Sequence, residues 1–227
     1  MPASAPHDFN APSIRRHFAR CDPVLARIMR AHGDCAILRP DRGGSPYEAL
    51  GSAIIHQQLH GKAAATILAR VKALAGGKAR FPTPAQLGAL SDAALRSAGL
   101  SGNKLLALRD LAAKSLDGTL PTTRAIVRLS DEEIIARCTA VRGVGRWTVE
   151  MLLIFRLGRP DVLPVDDFGV RNGYRIAYGM ASMPKPKELA KIGEKWAPWR
   201  SVAAWYLWRA ADKSKEKAET TEVKPAR

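Results

Sequence analysis

Helix-start signals recur along this chain, and they constrain its fold more than any other feature. Ser45-Pro-Tyr-Glu48 carries both halves of a capping box, with Pro at the first helical position. Ser130-Asp-Glu-Glu133 repeats the box, and Thr83-Pro84 and Ser91-Asp92 are further starts. Gly76-Gly77 and Gly99 are stops. No stretch alternates with the period of two that a half-buried strand needs. The pattern predicts an all-α fold. Helices are expected from Ser13 with a break near Pro23, over YEALGSAIIHQQL, from about Lys62 to Gly76-Gly77, and over AQLGAL and DAALRSA. Others are expected over NKLLALRDLAAKSL, EEIIARCTAV and RWTVEMLLIFRLG. A further one begins at Asp166 or Asp167, and one or two more lie between Pro184 and Lys213, interrupted at Pro198. No repeat of fixed period stands out.

The charge limits the partner. Of 227 residues, 36 are Lys or Arg and 21 are Asp or Glu, a formal net charge of +15. The residues from Ala211 onward carry only +1 and residues 1–42 only +3, so +11 falls in residues 43–210. A basic folded body points to a polyanionic partner, nucleic acid or an anionic membrane surface. No run of eighteen apolar residues could span a bilayer, and MPASAPHDFN lacks the order of a signal peptide. Cys21, Cys35 and Cys138 are too widely spaced for a Cys-clustered metal site and suggest no disulfide framework. A reduced cytoplasmic setting is expected. Residues 1–10 read as a flexible N-terminus, 11–210 as the folded body in two lobes, and 211–227 as a disordered charged tail.

Arg142-Gly143-Val144-Gly145-Arg146 joins two expected helices through a short turn. Glycine permits positive φ and close approach of the backbone to a partner. The helix that starts after Gly145 offers unpaired N–H groups to a phosphate oxygen, and Arg142 and Arg146 add charge. Together with Thr148, these residues suit a clamp on a phosphate backbone that carries no sequence information.

The stretch AVRGVGRWTVEMLLIFRLGRPDVLPVDDFGVRNGYR resembles the helix-hairpin-helix and Gly/Pro-Asp region of the HhH-GPD DNA glycosylases. It is most similar to their alkylation-repair branch, the DNA-3-methyladenine glycosylase II group. The resemblance runs from about Tyr47 to Trp208 and takes in YEALGSAIIHQQLHGKAAATILARV, FPTPAQLGALSDAALRSAGLSGNKLLALRDLA and WAPWRSVAAWYLW. It implies an all-α, two-lobed fold with an interlobe cleft, in a compact variant of the family, and base excision repair of alkylated purines such as 3-methyladenine and 7-methylguanine. Duplex DNA is the implied partner and the implied state is a monomer near the nucleoid. No cofactor and no metal are implied.

Residue roles follow from the same resemblance. Breaking a C1′–N bond builds positive charge on the sugar, which a carboxylate can oppose while it orients or deprotonates water. The family's aspartate falls at Asp167 when counted from Trp147, and the following Phe168-Gly169-Val170-Arg171 fits its pattern. The register of other branches chooses Asp166, which otherwise reads as a helix cap or nearby charge. Trp147 stands where lyase-competent relatives have a Schiff-base lysine, so hydrolysis without strand cleavage is implied. A flipped base needs an aromatic pocket. Trp147, Phe168 and Trp208 match it, and Met151 replaces another of its aromatics. Trp196, Trp199 and Trp205 read mainly as core. Gln58, with Leu59 beside it, matches the wedge that fills the gap in the duplex. His56 and His60 frame that loop without the partners for a metal site. A non-catalytic helix-hairpin-helix DNA-binding protein, or a glycosylase for another lesion such as uracil, are the alternatives.

Overall fold

The computed structural model describes residues 11–35, 37, 44–76 and 80–222, with side chains as far as Asp212. The expected flexible segment 1–10, Gly77 of the expected Gly76-Gly77 stop, and residues 223–227 of the expected tail lie outside the described residues. Among the described residues every regular element is helical. They run α1 (Ala11–Cys21), α2 (Pro23–His32), α3 (Pro46–His56), α4 (Gly61–Leu74), α5 (Pro84–Ala89), α6 (Asp92–Ser97) and α7 (Gly102–Leu116). After these come α8 (Thr123–Ile126), α9 (Asp131–Thr139), α10 (Arg146–Met151), α11 (Phe168–Ala177), α12 (Pro186–Gly193) and α13 (Arg200–Glu222). A π turn, Leu152–Arg156, continues α10, and a 3-10 turn, Glu194–Trp196, follows α12.

The expected start signals work as read. Ser45, Thr83 and Ser130 each close a complete capping box, and Ser91 and Ser101 accept the N3 N–H of their helices. The short α8, capped by Thr122, was not anticipated.

The chain divides into two compact units, with α3–α10 in one and α1, α2, the π turn and α11–α13 in the other. In the first, Leu50, Ile54 and Ile55 of α3, Leu105, Leu108 and Leu111 of α7, and Ile134 and Cys138 of α9 form the core. Burying such side chains is worth roughly 1.5–3 kcal/mol each. Phe81 lies edge-on to Tyr47 and fills the space over Gly51.

In the second unit α11 packs on α13 at very short range. A Cβ on Gly173 would stand 1.9 Å from the Leu207 carbonyl oxygen, so only glycine allows this crossing. Asp22, 1% exposed, is the unit's buried charge. It caps α2 through Leu25 N–H and accepts the Tyr178 hydroxyl (2.5 Å), Trp196 Nε1–H (2.8 Å) and Lys195 Nζ (3.0 Å).

The last helix departs from expectation. It continues to Glu222, through most of the segment whose composition suggested disorder from Ala211. Ala211 is buried, and residues 212–222 hold three Lys and three Glu, which have good helix propensity.

Candidate functional site

In the first unit a hairpin projects from the end of α9. Val141 and Val144 are buried and anchor it, while Arg142, Gly143, Gly145 and Arg146 are exposed. Val144 was expected among the DNA-facing residues, but its side chain belongs to the core, leaving only its backbone at the turn. Of the two glycines only Gly143 uses positive φ (+75°). Gly145 is an extended N-cap for α10 with no side chain to satisfy the helix's first N–H groups. A Cβ on Gly145 would meet nothing within 4 Å, so its value is the open space above it.

Two groups fasten this turn. Asp110 of α7 accepts the Arg142 N–H at 2.7 Å and pairs with Lys114 at 2.6 Å. Burial pushes the Asp110 carboxyl up, but those donors outweigh it and hold it below its ordinary value. Gln57, just past α3, donates its side-chain amide to Gly143 O at 2.9 Å.

The arginines differ. Arg146, expected as free positive charge, donates to both oxygens of Glu132 (2.8 and 3.3 Å) and to Glu150 (3.1 Å). Hydrogen bonding to Glu132 raises its pKa further. Its charge is thus largely compensated within the protein, whereas the exposed Arg142 donates its backbone N–H to Asp110 and its charge also helps hold that carboxyl's pKa down.

Expected to continue through QQL, α3 instead stops at His56. Lys104 Nζ takes the Ile55 carbonyl at 2.7 Å, satisfying the helix end, and burial pushes this ammonium's pKa down. Gln58 then adopts φ +56°, the one non-glycine in the left-handed region among the described residues. Gln58, Leu59 and His60 are exposed. His56 Nδ1 meets Ser52 O at 2.8 Å. Trp147, the second residue of α10, is 49% exposed. Met151 is half-buried.

In the second unit the sequence's two aspartates separate. Asp167 is the N-cap of α11: its Oδ1 accepts Val170 N–H at 2.7 Å. The same oxygen accepts the Trp208 indole N–H at 2.8 Å. Asp166 is exposed and is not the cap. The expectation that Asp166 caps is corrected: the first helical residue is Phe168, so the N3 N–H belongs to Val170 and lies in reach of Asp167 alone. Asp167 carries both the cap and the position proposed for chemistry.

The loop that delivers Asp167 is pinned to the start of α13. Asp161 pairs with Arg200 through two hydrogen bonds (2.7 and 2.8 Å), and the buried Ser201 Oγ donates to Arg159 O and accepts Val162 N–H. Phe168, 63% exposed, follows the aspartate. Phe155 of the π turn stacks on Trp208 with ring centroids 5.5 Å apart and planes 28° apart, and is itself 40% exposed. A half-buried indole thus has its N–H edge on a carboxylate and an exposed aromatic neighbour. Such a cluster offers stacking to a planar cation beside a fixed negative charge.

Residues 52–198 match the HhH-GPD superfamily of base excision DNA repair proteins. The chain belongs to that superfamily. Among the relatives of this HhH-GPD chain is the DNA-3-methyladenine glycosylase 1 of Schizosaccharomyces pombe, 40% identical, with 86% of this chain and 85% of the relative covered. A solved structure of the S. pombe 3-methyladenine DNA glycosylase in complex with abasic DNA superposes with a TM-score of 0.74 at 40% identity, covering 87% of this chain and 95% of that one. A DNA-3-methyladenine glycosidase from Bacillus halodurans gives a TM-score of 0.81 at 35% identity, over 92% and 93% of the two chains. The likeness to the alkylation-repair branch therefore holds.

Within the HhH-GPD chain, the structure brings Asp167, Phe168 and Trp208 together in one unit and Gln58, Leu59, the hairpin, Trp147 and Met151 in the other. Trp196 is fully buried, whereas Trp205 is half-buried under the Arg209 guanidinium and Trp199 is half-buried as well. Phe155 was not anticipated. Its signal is in the sequence: Trp147, Met151 and Phe155 recur every four residues. Gly169 and Gly173 were also passed over, although they too are four apart.

Proposed function

We propose that this protein is a monofunctional DNA glycosylase that releases alkylated purines, of the 3-methyladenine and 7-methylguanine type, from duplex DNA in base excision repair. The observation that carries the reading is the carboxylate of Asp167, held by Val170 N–H and Trp208 Nε1–H beside exposed Phe168 and Phe155. Membership of the HhH-GPD superfamily and the names of its relatives support it.

The hairpin's Gly143-Val144-Gly145 backbone, Arg142 and Thr148 grip phosphates, and Arg146 adds what charge its pairing with Glu132 and Glu150 leaves. Gln58, or its neighbour Leu59, enters the stack as the base leaves. Phe168 and Trp208 hold the extruded base, and Trp147 and Met151 keep the same role that the family resemblance gives them. An alkylated purine carrying positive charge gains from aromatic faces and departs readily, so Asp167 acts on the sugar. As the glycosidic bond lengthens, its negative charge opposes the growing oxocarbenium charge, and it orients water or takes its proton as the water adds to C1′. Trp147 has no amine to capture the sugar, so the product is an intact strand with an abasic site. The enzyme acts as a monomer.

The test is single-turnover incubation with duplexes carrying 3-methyladenine, 7-methylguanine, uracil or 8-oxoguanine. Free alkylated base should appear, with strand breaks only after alkali treatment. Release of uracil or 8-oxoguanine alone would change the lesion class. Binding without any excision would leave a non-catalytic DNA-binding protein.

A further inference from the structure

Trp208 is proposed to hold the flipped base with its ring, and its N–H edge points at the carboxylate of Asp167. Two donors converge on Asp167 Oδ1, one from the first turn of α11 and one from α13. A capping bond alone ties the oxygen to its own helix. The indole ties it from a second helix, which fixes the plane of the carboxylate as well as its position.

This contact depends on missing side chains. A Cβ on Gly169 would stand 2.8 Å from Trp208 Cδ1, 3.0 Å from its Nε1 and 3.1 Å from Asp167 Oδ1. The N–H edge of the indole therefore lies over the bare Cα of Gly169. One turn on, Gly173 meets the Leu207 carbonyl, the residue before Trp208. Residues four apart lie on one face of a helix. The Gly169/Gly173 face of α11 brings α13 close enough for its indole to reach the carboxylate, and Phe155 supports the ring from its π face.

We propose that Trp208 and Gly169 are a positioning pair for Asp167: the indole N–H sets the direction of the carboxylate and the glycine keeps the approach open. The proposal rests on the glycosylase reading and adds to it how the acting group is aimed. Gly169 touches neither base nor sugar in this scheme, so its effect passes through Trp208.

The experiment uses the full chain and a duplex with 7-methylguanine. Trp208→Phe keeps an aromatic ring and removes the donor together with part of the ring system; Gly169→Ala keeps the whole indole and blocks its path. For each, the single-turnover rate at saturating enzyme should fall roughly ten- to a hundredfold, the scale of one hydrogen bond to a charged group. Affinity for undamaged duplex should stay within about threefold for both variants, and Gly169→Ala should hold affinity for the damaged duplex in the same range. In an Asp167→Asn background Trp208→Phe should cost little more, because coupled residues are not additive. A wild-type rate in either variant, or a Trp208→Phe loss that adds in full to Asp167→Asn, overturns the pair while leaving glycosylase activity intact. A wild-type protein that excises no alkylated base overturns both readings.

Discussion

Gln57 and Gly143 are 86 residues apart in sequence and are joined by one hydrogen bond, from the Gln57 side-chain amide to the Gly143 carbonyl, at 2.9 Å. The bond ties the turn after α3 to the tip of the hairpin. Under the proposed function these are the wedge loop and the phosphate grip, so the grip would set where the wedge stands.

Gln57→Ala should leave the fold intact and weaken that link. One such bond is worth about 1 kcal/mol net, or about a fivefold effect. Excision at subsaturating enzyme should fall by that factor, and a fluorescent base analogue beside the lesion should report less unstacking. Unchanged fluorescence and rate in a folded variant would disconnect the two loops.

Gln58 sits at φ +56°, where an L-residue with a side chain pays roughly 1–2 kcal/mol. Strain of this kind gathers at functional positions. Gln58→Gly should therefore raise the melting temperature while lowering excision, because the strain and the wedge leave together. A variant that gains no stability would mean that the turn is comfortable with glutamine.

Asp22 gives a pH dependence. Burial pushes its carboxyl up, but hydrogen bonds from Tyr178, Trp196, Lys195 and Leu25 N–H outweigh this and leave its pKa below the ordinary value. A depressed folded pKa means that its contribution to stability is complete above the unfolded value of about 3.9 and is lost as pH falls through the folded one. Asp22→Asn should cost about 1.5–3 kcal/mol at neutral pH, the scale of hydrogen bonds to a charged group, because Lys195 itself stays in contact with water. Its stability should also decline less steeply than wild type below about pH 4. Parallel acid-unfolding curves for the two proteins would contradict this.

The helix starts were legible because each cap is a local event: Ser130 and Glu133 satisfy each other's orphan groups whatever surrounds them. The register that points to Asp167 is a count along the chain from Trp147. What the chain did not disclose was contact across elements. Nothing in the sequence near Arg146 says that Glu132, before the turn, will take its guanidinium. Nothing near Asp167 says that an indole 41 residues later will share its oxygen. The spacing of Gly169 and Gly173 was visible, but its meaning required the carbonyl of Leu207 beneath it. Disorder in the segment from Ala211 was inferred from composition, which does not register a long helix already nucleated by packing upstream.

The aspartate pair carries the most decisive prediction, and the cap sharpens it. Because Asp167 both caps α11 and is proposed to act on the sugar, Asp167→Ala confounds the two losses. Asn caps as well as Asp does, so Asp167→Asn should leave the helix start and melting temperature nearly unchanged. It removes only the charge. Single-turnover release of 7-methylguanine should then fall by about two to four orders of magnitude, the scale of a lost catalytic base or electrostatic group. Affinity for the damaged duplex should hold or rise, since one negative charge near DNA is gone. Asp166 is exposed and caps nothing, so Asp166→Asn should change neither stability nor rate by more than a few tenths of a kcal/mol. An inactive Asp166→Asn beside an active Asp167→Asn would move the chemistry one residue back. It would leave the Trp208 hydrogen bond with a structural role alone.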